Sequence, residues 1–436
     1  MEPDTSSDQR PVIPASEILA KIKRGEDVEY DGVIVEGDLD ISGLELPTAH
    51  VDRTEHENRA FGVSNELKVI SSQIMITDSE IRGKVIFSNI RFLGIIKFTG
   101  AKFGDVASFN GAEFSGEANF WSAQFSSDAH FDETRFSGNA SFVGAEFGGL
   151  AIFEGAEFSG KADFWWAQFS NFVTFRHAQF TNNAHFPNAQ FSNYADFRHA
   201  QFDDNATFTY AQFSDYADFR GSEFDKSLIL NDMKLVRLYV SWNSIRNNLD
   251  YDGPAYQALI KNFKVIEQFD DADDCYYQYR KESQALKKWY DEKGFNWSKL
   301  LDWVGFVSCG YGVRLGPIFF WVLGSFLGFA SLYKLLPQSY GGVAESGPST
   351  VTMETMNNST LLLTFSSGDG AISPSWGECL YFSFTALTGG TPNGLHPVGL
   401  CKYAVMIEGV LGYLFLALFV SSWSCWRGRS SGEPGL

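Results

Sequence analysis

Phenylalanine recurs from Phe87 in alternating steps of five and six: Phe92, Phe98, Phe103, Phe109, Phe114, Phe120, Phe125 and Phe131 follow, and the alternation runs unbroken to Phe219 and Phe224. The repeating unit is eleven residues. Two positions before nearly every Phe stands Ala, as at Ala101, Ala112, Ala123, Ala145, Ala156, Ala178, Ala200 and Ala211, with Thr134, Val173 and Ser222 as the later exceptions. Side chains two apart on an extended segment share one face. Each Ala-x-Phe therefore turns a small and a large group inward, and the residue between them, such as Gln124, Glu146 or Gln168, outward. A helical period of about 3.6 does not keep this register. The 436 residues hold 41 Phe and 41 Gly beside 13 Pro and 6 Met, a bias more typical of repeats than of mixed folds.

A second period sets the size of one coil. The string Phe-Ser-Asn-Phe-Val-Thr-Phe-Arg-His-Ala-Gln-Phe from Phe169 returns in near copy from Phe191 and as a variant from Phe213, each 22 residues on. Four faces of 5, 6, 5 and 6 residues make such a coil, stacking Arg176, Arg198 and Arg220, and likewise Phe172, Tyr194 and Tyr216. Tandem duplication alone also produces this spacing, and the two origins are compatible. The pattern resembles the pentapeptide-repeat family, whose A-(N/D)-(L/F)-x-x units imply a right-handed quadrilateral β-helix with the Leu or Phe inside. This chain departs from that form in having Phe at nearly all central positions and an extra residue in alternate units, so bulged corners are expected. About seven coils at about 4.8 Å each predict a rod roughly 35 Å long. Aliphatics carry the spacing on at Ile70, Ile76 and Ile81, with Ile34, Leu39 and Leu44 as an earlier partial coil, and on the other side Leu230 and Leu235 prolong it to Trp242. This divides the chain into an N-terminal segment (1–66) and the β-helix (67–241). The polar stretch from Pro47 to Glu66 holds His50, Asp52, Glu55 and His56, whose spacing matches no metal site, so a solvated loop is expected.

A net charge of −19 argues against general attraction to nucleic-acid phosphates or anionic lipid. Met1 to Tyr30 holds no apolar stretch of the signal-peptide kind, and the five Cys form no C-x-x-C pair, so a cytoplasmic N-terminal part is expected.

After Pro254 the periodicity turns helical. Tyr256, Leu259, Ile260, Phe263 and Ile266 share a face, and Asp270 to Asp274 start a second helix through Tyr276, Tyr279 and Leu286 to Trp289, an αα-hairpin over 254–294. Trp297, Leu300, Leu301, Val304 and Val307, with Lys299 and Asp302 among them, predict a helix over 295–314, either along a membrane surface or buried in a core. Two apolar runs of span length follow within 315–425, at 315–336 and 403–423. Between Pro337 and Leu400 there is no Lys or Arg, whereas Lys299 and Arg314 precede the first run and Arg427 and Arg429 follow the second. The positive-inside rule then puts both ends in the cytoplasm of a multi-pass protein of the cell membrane. The apolar segment from Trp376 to Leu387 is too short to span, and predicts a re-entrant pore helix over 376–388 with a filter-like loop over 389–397.

This layout resembles the two-transmembrane, pore-loop channels of the potassium-channel superfamily, through Tyr381-Phe-Ser-Phe-Thr-Ala-Leu-Thr388 as pore helix, then His396-Pro397 and an inner helix with Glu408, Gly409 and Gly412. Joined to the β-helix, it is similar to archaeal proteins of this layout. The resemblance implies a homotetrameric channel subunit in the lipid bilayer, conducting an ion, with the β-helix as gating or docking domain. The family's filter, T-V-G-Y-G-D, falls on Gly389, Gly390, Thr391, Pro392, Asn393 and Gly394, none of which is the family's own residue, so potassium selectivity does not carry over. Thr388, Thr391 and Asn393 either coordinate ions through side chains or form a closed, hydrogen-bonded plug. Glu378 and the acidic outer loop favour a cation. Glu408, an acid inside an apolar run, reads as a functional group or as a brace to the pore helix. Cys379 and Cys401 flank the pore segment, where a disulfide between them is an open alternative, and Asn357 and Asn358 each begin an N-x-[ST] sequon. The alternative function is a membrane-tethered scaffold with a non-conducting pore-like part and a protein partner on the β-helix. Two spans disfavour a nucleic-acid mimic, and no nucleophile, base and orienting group recur at a spacing that suggests an enzyme. No cofactor, metal or nucleic acid is expected.

Overall fold

The computed structural model describes residues 10–53, 62–291, 294–314, 316–335, 343–345, 375–390, 395–397 and 401–430, and divides into two units, Met1–Tyr279 and Arg280–Leu436. In the first unit the inward-facing segments are strands of mostly two residues, each paired in parallel with the strand 22 positions on. Phe103 lies beside Phe125, Ala107 beside Ala129, Phe92 beside Phe114 and Ile96 beside Ala118. These four ladders are the four sides of a parallel β-solenoid. The longest is ten strands deep, from Val12–Pro14 to Lys234–Tyr239, so the solenoid has about ten turns rather than the seven counted from Phe. The difference lies at the N-terminal end, where Val28, Val35 and Leu39 occupy the ladders with aliphatic side chains and leave no aromatic signal.

Those first strands pair at an offset of 46, as Val28 with Ile74 and Leu39 with Val85. The additional 24 residues form the polar excursion, whose strand Thr48–His50 runs antiparallel on Glu66–Ile70. Arg53 pins it to the solenoid wall by donating to the Gly111 carbonyl at 2.7 Å. Of its possible metal ligands, Glu55 and His56 lie outside the described residues. His50 faces Asp52 at 3.5 Å with both side chains exposed.

Phenylalanine fills the interior in four columns. Rings of successive coils lie parallel, Phe142 on Phe164 at 4.9 Å with 3° between planes, while rings on opposite sides meet edge to face, Phe142 and Phe153 at 5.4 Å and 86°. Backbone pairing sets the column spacing, because it matches the distance between strands. The Ala two positions earlier supplies the room: Ala140 and Ala162, like the Phe they precede, are buried.

The two step lengths have different corners. Every five-residue step turns on a left-handed residue, Gly100, Gly111, Gly144 and Gly155 among them, but also Ser122, Trp166, His177 and Tyr210. The turn closes through a bond such as Ala101 N–H to Phe98 O at 3.1 Å, with positive φ at the third position as in a type II turn. The six-residue steps have no left-handed residue and use one more residue instead. At one of them Gly138 lets the coils approach, since a Cβ there would sit 2.5 Å from Gly116 O.

Outward polar residues also stack from coil to coil. Asp163 accepts from Lys161 Nζ at 2.7 Å and from Trp165 N–H at 3.2 Å, and meets His185 Nδ1 of the next coil at 3.2 Å. Burial raises its carboxyl, but the bonds from His185, Lys161 and Trp165 outweigh burial and hold it down at about 2. Its folded value lies below the unfolded one, so its stabilisation is present above about pH 4 and is lost as pH falls towards 2. Asp163→Asn is expected to remove about 2 kcal/mol at neutral pH and to flatten acid unfolding in that window, measured by denaturation at stepped pH.

Helices close both ends of the solenoid, covering strands that would otherwise template further pairing. At the first end lies α1 (Ala15–Arg24), which buries Ala15, Ile18 and Ile22 and stops at left-handed Gly25. At the other end are α2 (Trp242–Ile245) and α3 (Gly253–Val265), whose Trp242, Tyr256, Leu259 and Phe263 join the solenoid core. Asp252 caps α3 by accepting from Ala255 N–H, and Asn262 of α3 bonds both Leu238 N–H and Leu238 O. The following helix, α4 (Phe269–Leu286), returns along α3, with Tyr279 5.9 Å from Tyr256. The boundary between the units falls within α4.

The second unit adds α5 (Trp297–Cys309), α6 (Gly316–Leu335), α7 (Trp376–Leu387) and α8 (Cys401–Ser430). Two of these, α6 and α8, are long and apolar enough to cross a membrane. Leu395–Pro397 pairs antiparallel with Val343–Glu345.

Candidate pore-like site

The short helix α7 has both ends specified by its own residues. Ser375 Oγ accepts from Glu378 N–H at 3.2 Å, and the Glu378 carboxylate accepts from Ser375 N–H at 2.6 Å, a reciprocal capping box. At the far end Gly389 is left-handed, with its N–H on Ala386 O at 3.2 Å, and Gly390 N–H reaches Thr385 O at 2.7 Å. These are the two bonds of a Schellman stop. Twelve residues at about 1.5 Å each give about 18 Å, well short of a bilayer core.

Buried hydroxyls fasten α7 between the two long helices. Ser383 of α7 bonds the Phe326 carbonyl of α6 at 2.9 Å and also the Glu408 carboxyl of α8. Tyr333 of α6 donates to the other Glu408 oxygen at 2.5 Å. Glu408, Ser383 and Tyr333 are all buried, so one carboxyl joins three helices through two hydroxyls. Around them Phe382 sets its ring edge-on to Tyr333 at 5.0 Å, and Cys379 and Cys401 lie buried in the same cluster without being joined in a disulfide. Ser383→Ala removes a partner from a buried carboxyl oxygen and is expected to cost about 1–3 kcal/mol. A thermal-shift series with Tyr333→Phe and the double variant checks this, the two effects falling short of additive because both act on one carboxyl.

The last turn of α7 meets α8 at Gly412, where a Cβ would lie 1.8 Å from Leu387 O. Beside this contact an apolar cleft of about 340 Å³ opens between Ile318 and Val322 of α6, Leu387 and Thr388, and Tyr413 and Leu416 of α8. The outer surfaces of the long helices are apolar: Phe319, Phe320 and Leu323 on α6 and Met406, Val410 and Leu414 on α8 are exposed.

The expected site residues separate into groups. Thr388, Gly389 and Gly390 form the stop of α7, with the Thr388 hydroxyl on Phe384 O at 2.8 Å. Thr391, Pro392, Asn393 and Gly394 lie outside the described residues, as do Asn357 and Asn358. Glu378 serves the capping box and Glu408 the three-helix junction. Sequence reasoning passed over Tyr333 and Ser383. The available signal was a hydroxyl inside an apolar helix, which needs a partner once buried. Among the described residues no group of three His, Cys, Asp or Glu side chains is placed to hold a metal ion.

A family model described as pentapeptide repeats (9 copies) matches residues 76–124, 87–135, 120–165, 142–190 and 186–234. No curated protein and no solved structure matches the chain. The matched segments coincide with the Phe columns, and residues 76–234 are therefore pentapeptide repeats wound into a parallel β-solenoid, followed by two helices of membrane-spanning length.

Proposed function

We propose that the chain is a subunit of a cation-conducting channel of the cell membrane, in which four copies set α7 and its Thr388–Gly390 end around one pathway. The observation that carries the reading is the fastening of α7, too short to span, between two helices long enough to do so by the Ser383–Glu408–Tyr333 hydrogen bonds. A loop-connected segment at membrane depth requires such shielding by protein. The carbonyl end of α7 carries the negative pole of its dipole, which favours a cation near Thr388. In this arrangement α6 and α8 span the bilayer, both chain ends lie in the cytoplasm, and the solenoid docks or gates from there. Purified protein in planar bilayers, held across gradients of potassium, sodium and calcium, is expected to show unitary cation currents. Silence across ions and voltages overturns the reading.

One observation favours the second reading, a membrane-tethered scaffold. The Thr388 hydroxyl and the Gly390 N–H are both spent on helix carbonyls, as a closed plug requires. A silent protein that still captures a partner through the solenoid would support it.

A further inference from the structure

The helix α5 is oriented inside out for a helix in water. Its carboxylate, Asp302, is turned inward with 13% of its side chain exposed, between Arg280 at 2.6 Å and Lys287 at 2.5 Å. Its outer face carries Trp297, Leu301 and Val304 at helical spacing, exposed by 68%, 70% and 47%, with Trp303 beside them. Directly before α5 a two-strand hairpin, Tyr290–Asp291 against Gly294–Phe295, adds further rings. Phe295 is its hub, 5.6 Å from Tyr290, 6.2 Å from Trp289 and 5.2 Å from Trp297, and all four rings are exposed. The Lys299 ammonium lies 5.2 Å over the Trp289 ring.

We propose that this aromatic hairpin and the outer face of α5 are an anchor in the headgroup layer of the lipid bilayer. The inference rests on the reading of α6 as a span. Continuity selects lipid as the occupant: Trp321 of α6 donates its indole N–H to the Val307 carbonyl of α5 at 2.8 Å, so the exposed face of α5 leads directly into the exposed apolar surface of α6. Composition agrees. Trp and Tyr rings with a lysine stem among them are the chemistry of the membrane–water boundary, whereas lysine is depleted from contacts between protein subunits. The inward ion pairs of Asp302 hold the helix in this rotation, because turning it would bury Leu301 and Trp297 only by exposing the carboxylate and stripping it of two cations. An anchor here holds the start of α6 at a defined depth.

The test is the depth of a nitroxide at Leu301→Cys, Leu323→Cys and Lys102→Cys in the full chain, reconstituted into phosphatidylcholine vesicles. The native chain treated with the same reagent supplies the background. All three positions are exposed, so the label displaces no core group. Collision with oxygen and with a water-soluble nickel chelate is expected to rank Leu323 deepest, Lys102 in water and Leu301 between them. If Leu323 is deep while Leu301 behaves like Lys102, or is shielded from both reagents as beneath a second copy, the anchor is overturned and the span survives. If Leu323 also behaves like Lys102, the membrane reading falls and the anchor with it.

Discussion

Phe142→Ala is expected to lower the opening free energy of the surrounding coils by about 3–5 kcal/mol, read from hydrogen exchange of the amides between Phe120 and Phe164. The ring is fully buried, stacked on Phe120 at 5.0 Å and on Phe164 at 4.9 Å, with Phe131 and Phe153 edge-on at 5.4 Å each. Truncation removes the contents of one side of a coil, and the walls cannot collapse to fill the space because backbone ladders hold them at strand spacing. The cost therefore belongs at the upper end for a large-to-small change. In a solenoid each coil touches only its neighbours, so the loss should be confined to the coils on either side while protection near Phe208 stays unchanged. A loss below about 1 kcal/mol would mean that the columns repack, contrary to the rigidity the ladders imply.

Gly412→Ala is expected to separate α8 from the end of α7. By helix propensity alone the change would stabilise α8 by about 1 kcal/mol. The added Cβ, however, falls 1.8 Å from Leu387 O and 2.8 Å from Leu387 C, which are backbone atoms of a helix capped at both ends. Overpacking against backbone that cannot yield costs about 3 kcal/mol or more, so the clash outweighs propensity. The measurement is thermal unfolding in detergent. Gly328→Ala serves as control, since nothing lies within 4 Å of a Cβ there and propensity acts unopposed. Equal stability of the two variants would show that α7 and α8 do not make this contact.

Much of the solenoid was legible because its rule is local. An inward Phe and the Ala two positions before it lie on one short strand, and the 22-residue return of Arg176, Arg198 and Arg220 revealed the coil from spacing alone. Where the rule is carried by ordinary aliphatics, as at Val28 and Val35, the period is masked, and the first turns were undercounted. The left-handed corners were also hidden: Trp166, His177 and Tyr210 take a conformation that favours glycine, because neighbouring coils dictate the turn against the residue's own preference.

The site was less legible. Apolar runs mark α6 and α8, and Ser375 with Glu378 three positions on is a readable capping box. The partners of Glu408, in contrast, come from 75 and 25 residues away, and nothing local in Tyr333 or Ser383 distinguishes them from other hydroxyls. The sequence by itself thus determined the repeat, its coil length, the inward faces and the helices long enough to span, all of which follow from periodicities that a strand or helix expresses residue by residue. Only the tertiary structure decided that α1 and α3 close the solenoid, that Asp302 faces in while Leu301 faces out, and that Glu408 joins three helices. Each of those depends on which distant groups satisfy a buried polar atom or cover an apolar face, and a hydrogen bond or a packed ring depends on spatial proximity that sequence separation does not encode.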